Sequence, residues 1–256
     1  MRHAYIDEHS HINSFIHRLD PRIKIISFLT FILFVIFTRP GSFKVFGLYG
    51  ALMAVLILLS RIPITFILKK SLGIIPFVLV MAFFIPFVKS GKVAGGYSLG
   101  TLKLTVTYDG LMIFWNCLIK AYLSALSMIL LITSTKFSDF LKALERLKCP
   151  LLFTMIFSFM YRYIFVVEDE LLKMQQAREA RSVGGSRWFQ ARALANMLGI
   201  LFVRTYERGE NVYLAMCSRG FDGKIRTMDD FKLSRKDWCF LVAIVGLLTG
   251  IRILGN

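Results

Sequence analysis

The sequence predicts an all-α polytopic membrane protein, with about five transmembrane helices and two further long helices in a polar cytoplasmic region. Three observations carry that prediction. Hydrophobic residues make up 56% of the 256 and phenylalanine alone counts 24, beyond the usual soluble range. The apolar residues gather into five runs that lack the charged outer face a soluble core helix keeps. One extensive polar region follows the fourth run, and it holds two long patterns of helical period. The formal charge of +16 fits nucleic acid, an acidic partner or the inner face of a membrane, and the apolar runs select the membrane.

Residues 1–22 form a polar leader containing all four histidines, His3, His9, His11 and His17. His9-Ser10-His11 with Asp7 is a weak metal-binding pattern, and a solvated segment at the membrane surface is the better reading, so no metal site is expected. Pro21 suits the first turn of a following helix, where its missing N–H is not needed. The apolar runs are Ile25 to Thr38, Val45 to Ser60, Ser71 to Val88, Leu111 to Thr135 and Trp238 to Ile251. A span needs about 20 apolar residues, so the first and last are short unless their polar flanks snorkel. Pro76 and Pro86 are expected to kink or end the third. Residues 89–109, rich in glycine and with alternating Leu102, Leu104 and Val106, read as a loop with a small hairpin.

Charge orients the spans. With the N-terminus cytoplasmic and all five runs crossing, 25 of the 32 lysines and arginines fall on the inner side and six on the outer. Long loops count little in this rule, so the leader carries the inference. The resulting organisation is a leader (1–22), transmembrane helices (23–135), a cytoplasmic region (136–236) and a C-terminal transmembrane helix (237–256). Lys120 lies within the fourth run; an intramembrane lysine is a functional candidate, and a snorkelling or helix-pairing role is favoured over that. Cys117, Cys149, Cys217 and Cys239 form no C-x-x-C pair and read as buried free thiols.

The cytoplasmic region holds the candidate site. Its first helix runs through Phe153, Ile156, Met160, Ile164, Val167, Leu171 and Met174 to Arg178 and Arg181, with Gly184-Gly185 as its stop. The second begins near Trp188, carries Leu194, Met197 and Leu201, and presents Arg204, Arg208, Asn211, Ala215 and Arg219 along another face. Gly220 stands where a helix C-terminal stop belongs. Each helix therefore ends in an arginine between small residues, Ala180-Arg181-Ser182 and Ser218-Arg219-Gly220. A guanidinium is a planar fork of donors suited to interface contacts, and small neighbours let a partner wall come close. An ordinary helix C-terminal arginine, favourable to the dipole, is the competing reading.

No phosphate-loop, zinc-protease, serine-hydrolase elbow or dinucleotide-binding motif is present. Catalytic residues and cofactors are accordingly not expected, and a transport role would draw its energy from other subunits. An enzyme acting on lipid phosphates would call for acidic or histidine pairs at the cytoplasmic span ends, and the histidines are confined to the leader. Nucleic acid is not an expected partner, because the cytoplasmic region has 18 basic and 11 acidic residues interspersed, without an uninterrupted basic tract.

Several segments carry a family resemblance. They are Leu19-Asp20-Pro21-Arg22-Ile23-Lys24, Phe137 to Glu145 with Pro150, Tyr161-Arg162-Tyr163, Gln176 to Ser182, Arg204 to Arg208, and Val212 to Phe221. In this order the chain resembles the transmembrane T component (EcfT/CbiQ family) of energy-coupling factor ABC transporters, most closely its cobalt-transport type, over nearly its whole length. The resemblance implies an L-shaped scaffold in the cell inner membrane with two cytoplasmic coupling helices. It implies that Ala180, Arg181 and Ser182, with Ser218, Arg219 and Gly220, dock in grooves of two ABC-type ATPase subunits, supported by Arg178, Arg204 and Arg208. Ser182 stands where the family commonly has glycine, a small change in size. The other implied partners are a cobalt-type substrate-binding membrane subunit, a small accessory membrane subunit and the lipid bilayer. Cobalt(II) is the implied substrate, with nickel or a biotin-type vitamin as alternatives on the same scaffold.

Overall fold

The computed structural model describes residues 14, 16–83, 93–99, 102–181, 186–223 and 234–254. The helices among them are α1 (Pro21–Ile36), α2 (Phe43–Ser60), α3 (Ile64–Leu72), α4 (Ile75–Phe83), α5 (Tyr108–Ser134), α6 (Phe137–Arg146), α7 (Leu151–Arg181), α8 (Arg187–Ser218) and α9 (Arg235–Leu254). A hairpin of β1 (Val93–Leu99) and β2 (Leu102–Thr107) lies between α4 and α5, antiparallel in the register Leu99 to Leu102 and Tyr97 to Leu104. It is the small hairpin that the alternating residues predict. The chain divides into two compact units, one of Leu144–Asp230 and one of Arg2–Ala143 with Phe231–Asn256.

The second of these is a helical bundle built on α1 and α5, with the hairpin as its one β element among the described residues. Pro21 opens α1 as expected, and the Asp20 side chain caps it by accepting from the Arg22 N–H at 2.9 Å. Phe28, Phe31 and Val35 bury one side of α1 against α5 and α9, and the Phe31 ring meets Tyr49 of α2 edge-on at 5.9 Å. α2, α3 and α4 also pack on α5. Two polar residues inside the fourth apolar run tie α5 to the end of α1. Lys120 Nζ donates to the carbonyls of Ile36 and Thr38, at 2.8 and 2.7 Å. Asn116 Oδ1 accepts from the Gly41 N–H at 3.2 Å. Gly41 has φ +96°, so the backbone favours glycine there; a Cβ would stand 2.5 Å from the Met112 Cε, the end of a side chain that can move aside. Lys120 is thus a helix-end cap within the bundle, in line with the pairing role favoured for it.

Among the described residues, four helices are long and apolar enough to cross a membrane: α2, α5 over Gly110–Ser134, α7 and α9. This is an all-α polytopic membrane protein, yet the set differs from the five runs in the sequence. α1 has 16 residues, a rise of about 24 Å against a hydrocarbon core of about 30 Å. The third run is broken at Gly73-Ile74 into α3 and α4, and Pro76 sits in the first turn of α4, where a missing N–H is tolerated. Its second proline, Pro86, lies outside the described residues. α7 joins the set because Leu151 to Val167 holds Arg162 as its one charged residue. The cysteines correct an expectation: Cys117, Cys217 and Cys239 are exposed on α5, α8 and α9, and Cys149 is half-buried in the connection between α6 and α7. His9, His11 and Asp7 lie outside the described residues.

Candidate functional site

α7 and α8 are the two helices that the sequence marks out, and they make the body of the Leu144–Asp230 unit. α7 follows Pro150, whose carbonyl accepts from the Phe153 N–H at 3.0 Å, and runs 31 residues without an interior glycine or proline. α8 opens at Ser186, one residue before the helical start at Arg187, and runs 32 residues. The two pack face to face through few groups. Met197 and Leu201, one turn apart on α8, are the buried hydrophobic side chains. Beside them Arg204 of α8 forms an ion pair and hydrogen bond with Glu170 of α7.

Two grooves flank this contact. One, of about 840 Å³, is lined by Met174, Arg178 and Arg181 of α7 and by Phe189, Met197 and Arg204 of α8. The other, of about 520 Å³, is lined by Val166 and Glu170 of α7 and by Arg204, Arg208 and Ala215 of α8. Rising numbers on one helix face falling numbers on the other, so the pair is antiparallel. The end of α7 therefore lies beside the start of α8, and Arg219 lies 30 residues further along α8 than Phe189, about 45 Å away. The structure brings Arg178, Arg181 and Arg204 to one groove and holds Arg219 apart.

Ala180 and Arg181 are exposed in the last turn of α7, and Ser182 lies outside the described residues. Ser218 ends α8, and Arg219 is its C-cap. The Gly220 N–H donates to the Cys217 carbonyl at 3.0 Å and the Phe221 N–H to Met216 at 3.1 Å, with Gly220 at φ +80°. That paired pattern is a Schellman stop, and it fixes the chain direction at the residue carrying the guanidinium. Ser218 Oγ donates back to the Leu214 carbonyl at 3.0 Å, so the small neighbour is turned onto its own helix. Arg219 and Gly220 are both exposed. The arrangement offers two well-separated helix ends, each with an exposed guanidinium.

Sequence reasoning missed Glu170, whose partner is 34 residues away and leaves no local signal. Of the apolar side chains that the helical periods place on α7 and α8, Phe153, Met160 and Leu194 are exposed, whereas Met197 and Leu201 are buried. A further polar cluster, in the bundle, went unread. Asp237 accepts from the Ser234 N–H at 2.9 Å and the Asp20 N–H at 3.2 Å, joining the starts of α9 and α1. Ser234-Arg235-Lys236-Asp237 before an apolar run is a capping-box pattern, so a signal for it was present.

Comparison with known proteins covers the same elements. The model of the CbiQ family, described as cobalt transport protein, matches residues 12–229. The chain is 28% identical to the energy-coupling factor transporter transmembrane protein EcfT of Listeria innocua, over 94% of this chain and 95% of that protein. It is 29% identical to the EcfT of Ruminiclostridium cellulolyticum, over 88% and 87%. An uncharacterized protein of Methanocaldococcus jannaschii is 25% identical over 98% of this chain and 86% of its own length. With the family model matching well over half of its residues, the chain belongs to the CbiQ family of membrane transport proteins.

Proposed function

We propose that the chain is the transmembrane coupling subunit of an energy-coupling factor ABC importer, itself non-catalytic, that passes ATP-driven motion of two ATPase subunits to a substrate-binding membrane subunit. The observation that carries this reading is the pair of exposed arginines, Arg181 and Arg219, at opposite ends of one antiparallel helix pair. Two separated, similar plugs suit two similar grooves on a pair of ATPases. When ATP draws the ATPases together, each groove carries its helix end, and the helices shift against one another. The contact between them suits such movement, since it rests on Met197, Leu201 and one half-exposed ion pair. The exposed apolar side chains Phe153, Phe157 and Met160 of α7 then offer the face on which the substrate-binding subunit rides, and methionine adapts readily to repacking.

The cytoplasmic side of an inner membrane is proposed for the basic end of the bundle. Arg18, Lys24, Arg61, Lys136 and Lys236 all line the cavity where α1 and α9 begin and α2 ends. Cobalt(II) is the proposed substrate, on the family description; nickel and biotin-type vitamins are its competitors. The test is ATP-dependent uptake of labelled cobalt, with nickel as competitor, in cells producing the chain with its neighbouring subunits. Arg181→Glu and Arg219→Glu should each insert normally and abolish uptake. Full transport by both single variants would overturn the coupling role, and nickel displacing cobalt completely at equal concentration would reassign the substrate.

A further inference from the structure

At the end of the bundle where α1 and α9 begin and α2 and α5 finish, a cavity of about 1000 Å³ opens. Part of its wall is already satisfied. Lys24 Nζ donates to the carbonyls of His17 and Ser134, at 3.1 and 3.0 Å, and both Asp237 oxygens accept backbone N–H groups. Two other wall groups are not. Asp20 Oδ2 and Thr135 Oγ1 are buried without a hydrogen-bond partner among the described residues, in residues 7% and 6% exposed. Leaving such groups unpaired costs about 1–3 kcal/mol each, so a native fold that keeps two of them on one cavity wall calls for an occupant.

The rim specifies the occupant's charge and its source. Arg18, Arg61 and Lys236 are exposed and Lys136 is half-buried, and they outnumber Asp139, the half-buried acid beside them. Arg61 holds φ +56° at the C-cap of α2, a conformation that favours glycine, so a cation is kept at the mouth at some backbone cost. Next to it Leu58 and Leu59 line the same cavity and are 65% and 43% exposed. They belong to a helix long and apolar enough to cross the membrane. A soluble anion has no use for them. An acyl chain does.

We propose that this cavity binds the headgroup of a membrane phospholipid. The phosphate meets Arg61, Lys136 and Lys236; an O–H or N–H of the headgroup donates to Asp20 Oδ2 and Thr135 Oγ1; the acyl chains lie along Leu58 and Leu59. The site is independent of the coupling role. A bound lipid there joins the N-terminal segment, α2, α5 and α9 at one membrane surface.

The test is native mass spectrometry of the delipidated full chain, with dioleoyl phosphatidylglycerol, phosphatidylethanolamine or phosphatidylcholine added back. One tightly held lipid is expected, with phosphatidylcholine weakest because choline has no N–H or O–H to give. Lys136→Gln/Lys236→Gln should lower phosphatidylglycerol occupancy about tenfold, the scale of one charge-assisted hydrogen bond. Arg39→Gln/Arg252→Gln removes the same charge away from the cavity and should leave occupancy unchanged. Thr135→Val, nearly isosteric, should reduce the preference over phosphatidylcholine while leaving phosphatidylcholine itself untouched. Equal losses in the two double variants, or none in either, would mean nonspecific charge attraction and overturn the proposal. Displacement of the lipid by excess inorganic phosphate, with phosphate retained, would overturn it in favour of a soluble anion.

Discussion

Replacing Lys24 with methionine keeps the length of the side chain and deletes two hydrogen bonds at a residue only 2% exposed. The bonds run from Nζ to the carbonyls of His17 and Ser134, so they tie α1 both to its own leader and to the last turn of α5. A hydrogen bond from a charged donor contributes about 1.5–3 kcal/mol, and the bond to the Ser134 carbonyl is buried. Taking the lower figure for each gives a loss of about 3 kcal/mol. The variant also removes the cation that Asp20, Asp139 and Asp237 surround. At 2–4 °C per kcal/mol for a chain of this size, the thermal midpoint should fall by roughly 6–12 °C. The assay is thermal aggregation of the detergent-solubilised full chain, with Lys120→Met as internal reference. Lys120 makes two bonds of similar length but is half-buried near a helix end, where water or headgroups can replace it, and a loss of about 1 kcal/mol is expected. A Lys24→Met midpoint no lower than that of Lys120→Met would refute the argument that burial sets the cost.

Other predictions concern the paired helices. Gly220→Ala places a Cβ at φ +80° where nothing lies within 4 Å, so its cost of about 1 kcal/mol is wholly conformational; transport should weaken with insertion intact, and Gly220→Asn should be milder, because asparagine tolerates this region. A double-mutant cycle on Glu170 and Arg204, read by thermal midpoint, should return a coupling of about 0.2–1 kcal/mol, since their side chains are 23% and 56% exposed. A coupling of zero would remove the ion pair from the forces holding α7 to α8. Reversing the charge at Arg181 or Arg219 should abolish uptake, and a variant altered only at Arg178 should retain part of it, because Arg178 lines the groove short of the helix end.

What was legible in the sequence follows the range of each signal. Helix periodicity and stop residues are local, and they located α7, α8 and the Gly220 stop to within a residue or two. The proline at the start of α1 and the alternation in the hairpin are local as well. Burial on one side of a long helix is not. Phe153, Ile156, Met160 and Ile164 repeat at helical spacing, yet all are about half exposed, because periodicity marks an apolar stripe and not what covers it. The same limit misjudged the cysteines, which were read as buried from their apolar neighbours alone. The capping-box pattern marks the local bond of Asp237 with Ser234, but nothing local marks its bond with Asp20, 217 residues away.

The two units differ in how they are held, and the difference bears on function. In the bundle, α1 is fastened at both ends: Lys24 and Asp20 anchor its start, and Lys120 caps its finish. Helices in lipid gain little from hydrophobic association, so these polar ties and the close packing around Phe28, Phe31 and Tyr49 must supply much of what keeps the bundle in one arrangement. The α7–α8 pair is held by less burial: among the described residues α7, 31 residues long, buries Thr154 alone among its side chains. Helices of that length with so little burial draw their stability from what they bind, and an element with few buried contacts is also the one that moves at least cost. The coupling role proposed above needs both properties, one part held in a single arrangement and another that can move.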